Sequence, residues 1–299
     1  KENTFISKSI VDVSIVLGTL IGGEEKIIKI ELLEELNFTK MQPGQKFRDA
    51  LKNSQPLIIP GAINAYSAKL AEKAGHQAIY LSGSGVAAAS YGLPDLGITS
   101  MDDVLIDVKR ITNATSLPLL VDIDTGWGEG DQIAKTINEM GMAGCAAVHI
   151  EDQVFDKRCG HRPNKQLVSV NEMTNRLETA IKSKVDDSFF VMARTDAVAS
   201  EGIDGAIERC KAYIEEGADG IFLEAVTSID EYKKFKDNFS VPVLANITEF
   251  GKTPLFTQDE LKEVGVDMVL YPLTAFRAMS LSAEKIYNSI IKDGTQESL

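Results

Sequence analysis

The chain is poor in the residues that mark several common protein classes. Its 299 residues include three cysteines, Cys145, Cys159 and Cys210, an odd number with no CxxC spacing. Neither a disulfide framework nor a zinc ribbon can be built from that set, which suits a reducing compartment. Three histidines (His76, His149, His161) are too few for a multi-histidine metal centre. Basic residues number 31 against 44 acidic ones, a formal net charge of −13, so the general field repels nucleic-acid phosphates and anionic lipid. Long apolar runs are missing too. The most apolar early stretch, "IVDVSIVLGTLIGG" from Ile10, is too short for a membrane span, carries Asp12 and lacks a clear small-residue cleavage site. These absences point to a cytoplasmic protein whose anionic ligands would need a local cationic pocket.

What is present is a regular alternation. Short apolar runs read as strands: "LIIPGA" from Leu57, "AIYLSG" from Ala78, "LPLLVDID" from Leu117, "AAVHIED" from Ala146, "FFVMARTD" from Phe189, "GIFLEAV" from Gly220, "VPVLANIT" from Val241 and "MVLYPL" from Met268. Amphipathic stretches such as "MDDVLIDVKRIT" from Met101 lie between them, the signature of a parallel sheet covered by helices. A weak repeat recurs at Gly75, Gly144, Gly217 and Gly265, where a helix ends on glycine just before a strand. Eight such units predict a (β/α)8 barrel. The alternative, a doubly wound open sheet, lacks the GxGxxG that would follow its first strand. Residues 41–299 read as this barrel, with Met41 a natural start. Residues 1–40 read as an extension of unknown role, in which "KIIKIELLEELNF" suits a strand or an amphipathic helix equally.

Strand after strand ends in a chemically active residue: Ser82, Asp122 and Asp124, Glu151 and Asp152, Arg194 and Asp196, Glu224, Asn246 and Thr248. In a (β/α)8 barrel these ends share one face, where the active site lies. Asp122 and Asp124, two apart on a strand, point the same way and form a carboxylate cluster with Glu151 and Asp95. Hard oxygens at a pocket mouth suit Mg²⁺ or Mn²⁺; helix capping and loop hydrogen bonds are the plainer reading. In "DKRCGHRPNK", from Asp156, cations surround Cys159 and are expected to lower its pKa. The thiol then reads as a nucleophile, a proton donor or merely a surface cysteine in a charge run. "YLSGSG" offers backbone N–H groups and Ser82 to a carboxylate, and Arg194, Arg277 and Arg162 offer bidentate sites.

The stretches "AIYLSGSGVAAASYGLPDLGI", "LPLLVDIDTGWG", "HIEDQVFDKRCGHRPNK", "VMARTDA", "LANITEFGKTPLF" and "YPLTAFRAM" resemble the methylisocitrate lyases of the isocitrate lyase/phosphoenolpyruvate mutase superfamily. The resemblance runs from about Pro43 to Gly294. It implies a Mg²⁺-dependent barrel that cleaves 2-methylisocitrate, a tricarboxylate, to pyruvate and succinate in the methylcitrate cycle of propionate catabolism. Ser82, Gly83 and Ser84 would hold a substrate carboxylate; Asp122 and Asp124 would hold the metal, supported by Asp95 and Glu151. Cys159, Gly160 and His161 would sit in a mobile catalytic loop, with Cys159 the acid and Tyr80, or a magnesium-linked group near Arg194, the base. Arg194, Glu224, Asn246, Thr248 and Arg277 would contact substrate, and Phe222 and Leu270 its extra methyl. The resemblance further implies a homotetramer that exchanges the helix after strand eight, and a tail beyond Leu299 that supplies an arginine. Ser84 departs from the family pattern, which has glycine there. Isocitrate lyase and a catalytically impaired carboxylate-binding relative are the rival readings.

Overall fold

The computed structural model describes residues 41–162 and 164–297, so the N-terminal extension lies outside the described residues. Helix α1 (Pro43–Asn53) leads into β1 (Leu57–Pro60), α2 (Ala65–Lys73), β2 (Ile79–Leu81), α3 (Gly83–Tyr91) and α4 (Met101–Thr112). There follow β3 (Leu119–Asp122), α5 (Asp131–Met142), β4 (Ala147–Glu151), α6 (Val170–Lys182), β5 (Phe190–Thr195) and α7 (Val198–Glu215). The chain continues through β6 (Gly220–Leu223), α8 (Ile229–Lys236), β7 (Val243–Asn246), α9 (Gln258–Glu263), β8 (Met268–Tyr271) and α10 (Thr274–Asp293). All eight predicted strands are found. The glycines after α2, α5, α7 and α9 take φ of 93°, 85°, 107° and 82°, the left-handed values that turn each helix into its strand.

The strands are parallel in the order β1-β8-β7-β6-β5-β4-β3-β2, with Leu57 opposite Met268. Pairing of β1 with β8 excludes the open doubly wound sheet. The seam between β1 and β2 is narrow: a single bridge joins Gly61 to Tyr80, and Ala62 N–H donates to Tyr80 O at 2.8 Å. Eight parallel strands thus make a nearly closed barrel.

Strand periodicity sorts the apolar residues into two layers. Ile79, Leu119, Val121, Val148, Val191, Ile221, Val243 and Val269 face outward and pack with the helices. Leu57, Ile59, Tyr80, Leu120, Ala147, Phe190, Met192, Phe222, Leu244, Met268 and Leu270 fill the interior, joined by Phe47 of α1. Following the interior rows toward the strands' carboxyl ends, Leu120 gives way to Asp122, His149 to Glu151, Met192 to Arg194, Phe222 to Glu224 and Leu244 to Asn246. That switch to charged and amide side chains at the carboxyl ends of the strands creates the mouth. Among the described residues no helix is long and apolar enough to cross a membrane.

Candidate active site

The mouth holds a cavity of about 460 Å³. Tyr80, Ser82, Ser84, Asp95, Asp122, Cys159, Gly160, His161, Arg194, Glu224, Asn246, Thr248 and Arg277, all singled out in the sequence, line it, as does Arg162. Gly83, Asp124 and Glu151 stand behind the wall. Gly83 N–H donates to Asp122 Oδ2 at 3.2 Å, and Glu151, fully buried, lies beside Arg194 on the next strand. Phe222 faces the cavity, whereas Leu270 is packed into the barrel interior beneath it and does not. Leu273 supplies apolar wall instead. Its position beyond the last strand gave no periodic signal.

The two aspartates of "DIDTGWG" do not share a strand face. Strand β3 ends at Asp122, and Asp124 returns by a turn with φ 48° in which its N–H donates to Asp122 Oδ1 at 3.1 Å. Left-handed backbone at a non-glycine residue is strained, and such strain collects at working sites. Nor do the four expected metal carboxylates converge. The ammonium of Lys157 lies between Asp95 Oδ1 at 2.8 Å and Asp124 Oδ1 at 2.7 Å, while Glu151 Oε2 faces Arg194 Nε at 3.2 Å. Among the described residues no group of three or more His, Cys, Asp or Glu side chains is placed to hold a metal ion alone.

A divalent cation nevertheless suits this chemistry. Glu151 Oε1 is buried without a hydrogen-bond donor among the described residues, and Glu151 Oε2 and Asp124 Oδ1 face only the cations Arg194 and Lys157. Burial, against the pull of Lys157, raises the Asp124 carboxyl to about 6, and it pushes Glu151 well above the usual carboxylate range. Burial would raise Asp122 as well, but its charged neighbours hold it at about 2. Burial holds His149 itself near 4, so it is protonated where Asp122 titrates, and it leads Lys157 and Arg194 in holding that carboxyl down. The site holds buried anionic oxygen in excess of its cations. A hard ion bound by two carboxylates and completed by water and substrate oxygens fits that surplus.

The loop after β4 carries Cys159. Its legs are tied by a Gln153–Leu167 bridge and by Val154 N–H donating to Gln166 O at 3.0 Å, and its tip reaches the cavity. The cations around the thiol in sequence do not surround it in space. Lys157 pairs with Asp95 and Asp124, Lys165 with Asp196, and His161 Nε2 with Glu224 at 3.2 Å, while Arg158 is exposed. The expected fall in pKa is therefore corrected: burial raises the thiol above its ordinary 9.0, helped by the Asp95 and Glu224 charges and only partly offset by the His161 N–H and Arg194. A thiol so placed keeps its proton at neutral pH, which suits an acid rather than a nucleophile. If Cys159 is the acid, activity should hold from neutrality to pH 9.0 and fall only above it. A decline between pH 7 and 8 in a kcat–pH profile would contradict this.

Arg194 is the hub. Its Nε lies 2.9 Å from Asp196 Oδ2, and Nη2 lies 3.3 Å from Glu224 Oε2. Tyr80 Oη and His149 Nε2 are 2.9 Å apart. Burial, strengthened by Asp122, pushes the phenol well above its usual range. Tyr80 is thus no free phenolate; it can take a proton only by passing its own to His149. Arg277 donates to Thr248 Oγ1 at 3.1 Å and to Glu249 O at 2.9 Å, which turns it from solvent toward the mouth. Glu249 and Phe250, also in the wall, were missed because they sit in a loop without periodicity.

Residues 47–291 match the family model described as phosphoenolpyruvate phosphomutase. The chain is 59% identical to the 2-methylisocitrate lyase of Shewanella oneidensis, over 86% of this chain and 88% of that one. Among solved structures it resembles 2,3-dimethylmalate lyase, with a TM-score of 0.82 and 32% identity over 86% of this chain and 87% of the other. It also resembles phosphonopyruvate hydrolase in complex with oxalate and Mg²⁺, with a TM-score of 0.77 and 31% identity over 87% and 90% of the two chains. A match that spans most of the barrel, with more than half of the residues shared with one lyase, shows that the chain belongs to the phosphoenolpyruvate phosphomutase family, within the isocitrate lyase/phosphoenolpyruvate mutase superfamily.

Proposed function

We propose that this protein is a lyase that cleaves 2-methylisocitrate to pyruvate and succinate, and that it serves the methylcitrate cycle in the cytoplasm. The observation that carries the reading is the meeting of a protonated thiol, on a loop tip, with the Arg194–Glu224 pair in one carboxylate-rich mouth. The 59% identity to a 2-methylisocitrate lyase points to the same substrate.

Ser82 and Ser84, with Arg194 and Arg277, bind the carboxylates of the substrate, while the Gly83 N–H is taken by Asp122. Asn246, Thr248 and Glu224 orient it. Asp122 and Asp124 hold Mg²⁺, backed by Asp95 and Glu151, and Mn²⁺ suits the same oxygens. When bound, the cation supplies Lewis-acid stabilisation of charge developing on the substrate oxygen. Tyr80 Oη takes the proton of the substrate hydroxyl while its own moves to His149 Nε2. The carbon–carbon bond opens, its electrons pass to the succinate fragment, and Cys159 Sγ protonates that carbanion. Phe222 and Leu273 give the wall against which a methyl packs; one methyl discriminates by only about 1–3 kcal/mol, so some isocitrate cleavage is expected.

Helix α10 buries none of its residues and shows Met279, Leu281, Tyr287, Ile290 and Ile291 to solvent. An apolar helix face without a partner among the described residues supports a homotetramer that exchanges this helix.

The test is release of pyruvate and glyoxylate from 2-methylisocitrate and isocitrate, with Mg²⁺ and with EDTA. Pyruvate should dominate, stop with EDTA and return with Mg²⁺. Dominant glyoxylate would make the protein an isocitrate lyase. Release from neither substrate would leave a carboxylate-binding relative.

A further inference from the structure

Lys165 stands outside the cavity wall, yet its side chain is only 3% exposed. Its ammonium donates to Gly160 O at 2.6 Å and to Asp196 Oδ1 at 2.6 Å. The first partner is the loop tip, next to Cys159. The second is the fully buried carboxylate just past β5, which also accepts from Arg194 Nε at 2.9 Å and is tied to Asp152 Oδ1 through its own N–H at 2.9 Å. Lys165 therefore reaches from the far leg of the loop to its tip and fastens that tip to the rigid end of the barrel.

The tip needs such a fastening because it packs closely. A Cβ placed on Gly160 would fall 2.5 Å from Arg194 Nη2 and 2.6 Å from Glu224 Cγ, so the backbone lies directly against the pair that lines the cavity. The loop has further ties to the barrel. Gln153 bonds Arg158 N and O across the near leg, where Lys157 pairs with Asp95 and Asp124; at the tip His161 Nε2 faces Glu224 at 3.2 Å, and Lys252 N–H donates to His161 Nδ1 at 3.1 Å. Among the described residues, the Gly160 carbonyl's side-chain donor is Lys165. Solvent would level an exposed pair of this kind to little value. Here both partners are dry, and hydrogen bonds to charged groups are about twice as strong as neutral ones.

We infer that Lys165 is a positioning residue, which holds the Cys159 loop closed on the site by joining Gly160 to Asp196. The inference rests on the lyase reading for its kinetic consequence only; loop closure itself is measurable without turnover.

The experiment uses the full chain, its Lys165→Met and Lys165→Arg variants, and iodoacetamide as the probe, with alkylation followed at each cysteine by mass spectrometry. Cys145 and Cys210 are buried and serve as internal controls. Lys165→Met should alkylate at Cys159 about tenfold faster or more, the scale of one lost charged hydrogen bond, with the two control cysteines unchanged; its thermal midpoint should fall, because the buried Asp196 loses one of its cations. kcat for pyruvate release should fall by a similar factor with a smaller change in KM. Lys165→Arg, which keeps the charge and can donate to both acceptors, should restore much of each. Parental alkylation of Cys159 in Lys165→Met would overturn the inference. So would an equal acceleration at all three cysteines, which marks a general structural role. A parent that releases no pyruvate would sink the lyase reading, while the alkylation rates still decide the role of Lys165.

Discussion

Replacing Cys159 by alanine should lower kcat for pyruvate release by about 10²–10⁴-fold, the range for a positioned general acid, with little change in KM. The asymmetry between the two constants follows from the geometry. In the proposed mechanism substrate binding rests on Ser82, Ser84, Arg194 and Arg277, none of which the thiol supports, whereas proton delivery follows the opening of the carbon–carbon bond. Cys159→Ser is the sharper control. Its hydroxyl keeps the hydrogen-bonding capacity but is a far weaker acid, so it should leave KM unchanged and still fail to restore the rate. Steady-state pyruvate release over a range of substrate concentrations decides it. Parental kcat in either variant would move the acid to another residue, with His161 the nearest candidate on the same loop tip.

Arg194→Met should destabilise the fold by about 3–5 kcal/mol, the cost of breaking buried charge pairs from one side. The guanidinium faces Glu151 at 3.2 Å, Asp196 at 2.9 Å and Glu224 at 3.3 Å, and all three carboxylates are buried. Exposed pairs such as Lys233–Asp237, at 59% and 63% side-chain exposure, are worth about 0–1 kcal/mol, so the same deletion there would go unnoticed. The pH dependence carries the sign. In the parent, burial would raise Asp196, but Arg194 and Lys165 more than offset it and hold it below 3.8. That contribution is present above the unfolded pKa and is lost as pH falls through the folded one. Without Arg194 the buried carboxylates favour their protonated forms and bind more protons folded than unfolded. Their contribution to stability then declines as pH rises. The gap between variant and parent should be widest at neutral pH and narrow on acidification into the carboxylate range. Urea unfolding midpoints at a series of pH values measure it; an equal gap at every pH would remove the charge argument.

Much of the barrel was legible because strand and helix periods differ. Runs such as "AAVHIED" and "FFVMARTD" alternate inward and outward residues two by two, so the same rows that fill the interior also name the polar residues at its mouth. The C′ glycines marked where each helix turns back. Asp152 shows the limit of this reading. It ends a strand beside Glu151, yet period two sends it to the opposite side, where it accepts from Thr195 Oγ1 at 2.7 Å and Tyr213 Oη at 3.0 Å and braces the barrel. Leu270 likewise belongs to the correct inward row but lies one layer too deep to line the cavity. Depth along a strand depends on register, and register is fixed by pairing with neighbours far away in sequence.

Eight βα units, the mouth and the residue types gathered there follow from the order of amino acids alone, since apolar burial repeats with the period of the local backbone. The state of the charged groups does not. Seen along the chain, Lys157, Lys165 and His161 surround a thiol and should activate it. In the folded protein each is drawn to a carboxylate just past another strand or in the loop between α3 and α4: Lys157 to Asp95 and Asp124, Lys165 to Asp196, His161 to Glu224. Coulomb interactions act through space and strengthen as water is excluded, so the pairing, and with it the protonated thiol, was decided only when distant segments met in a buried site.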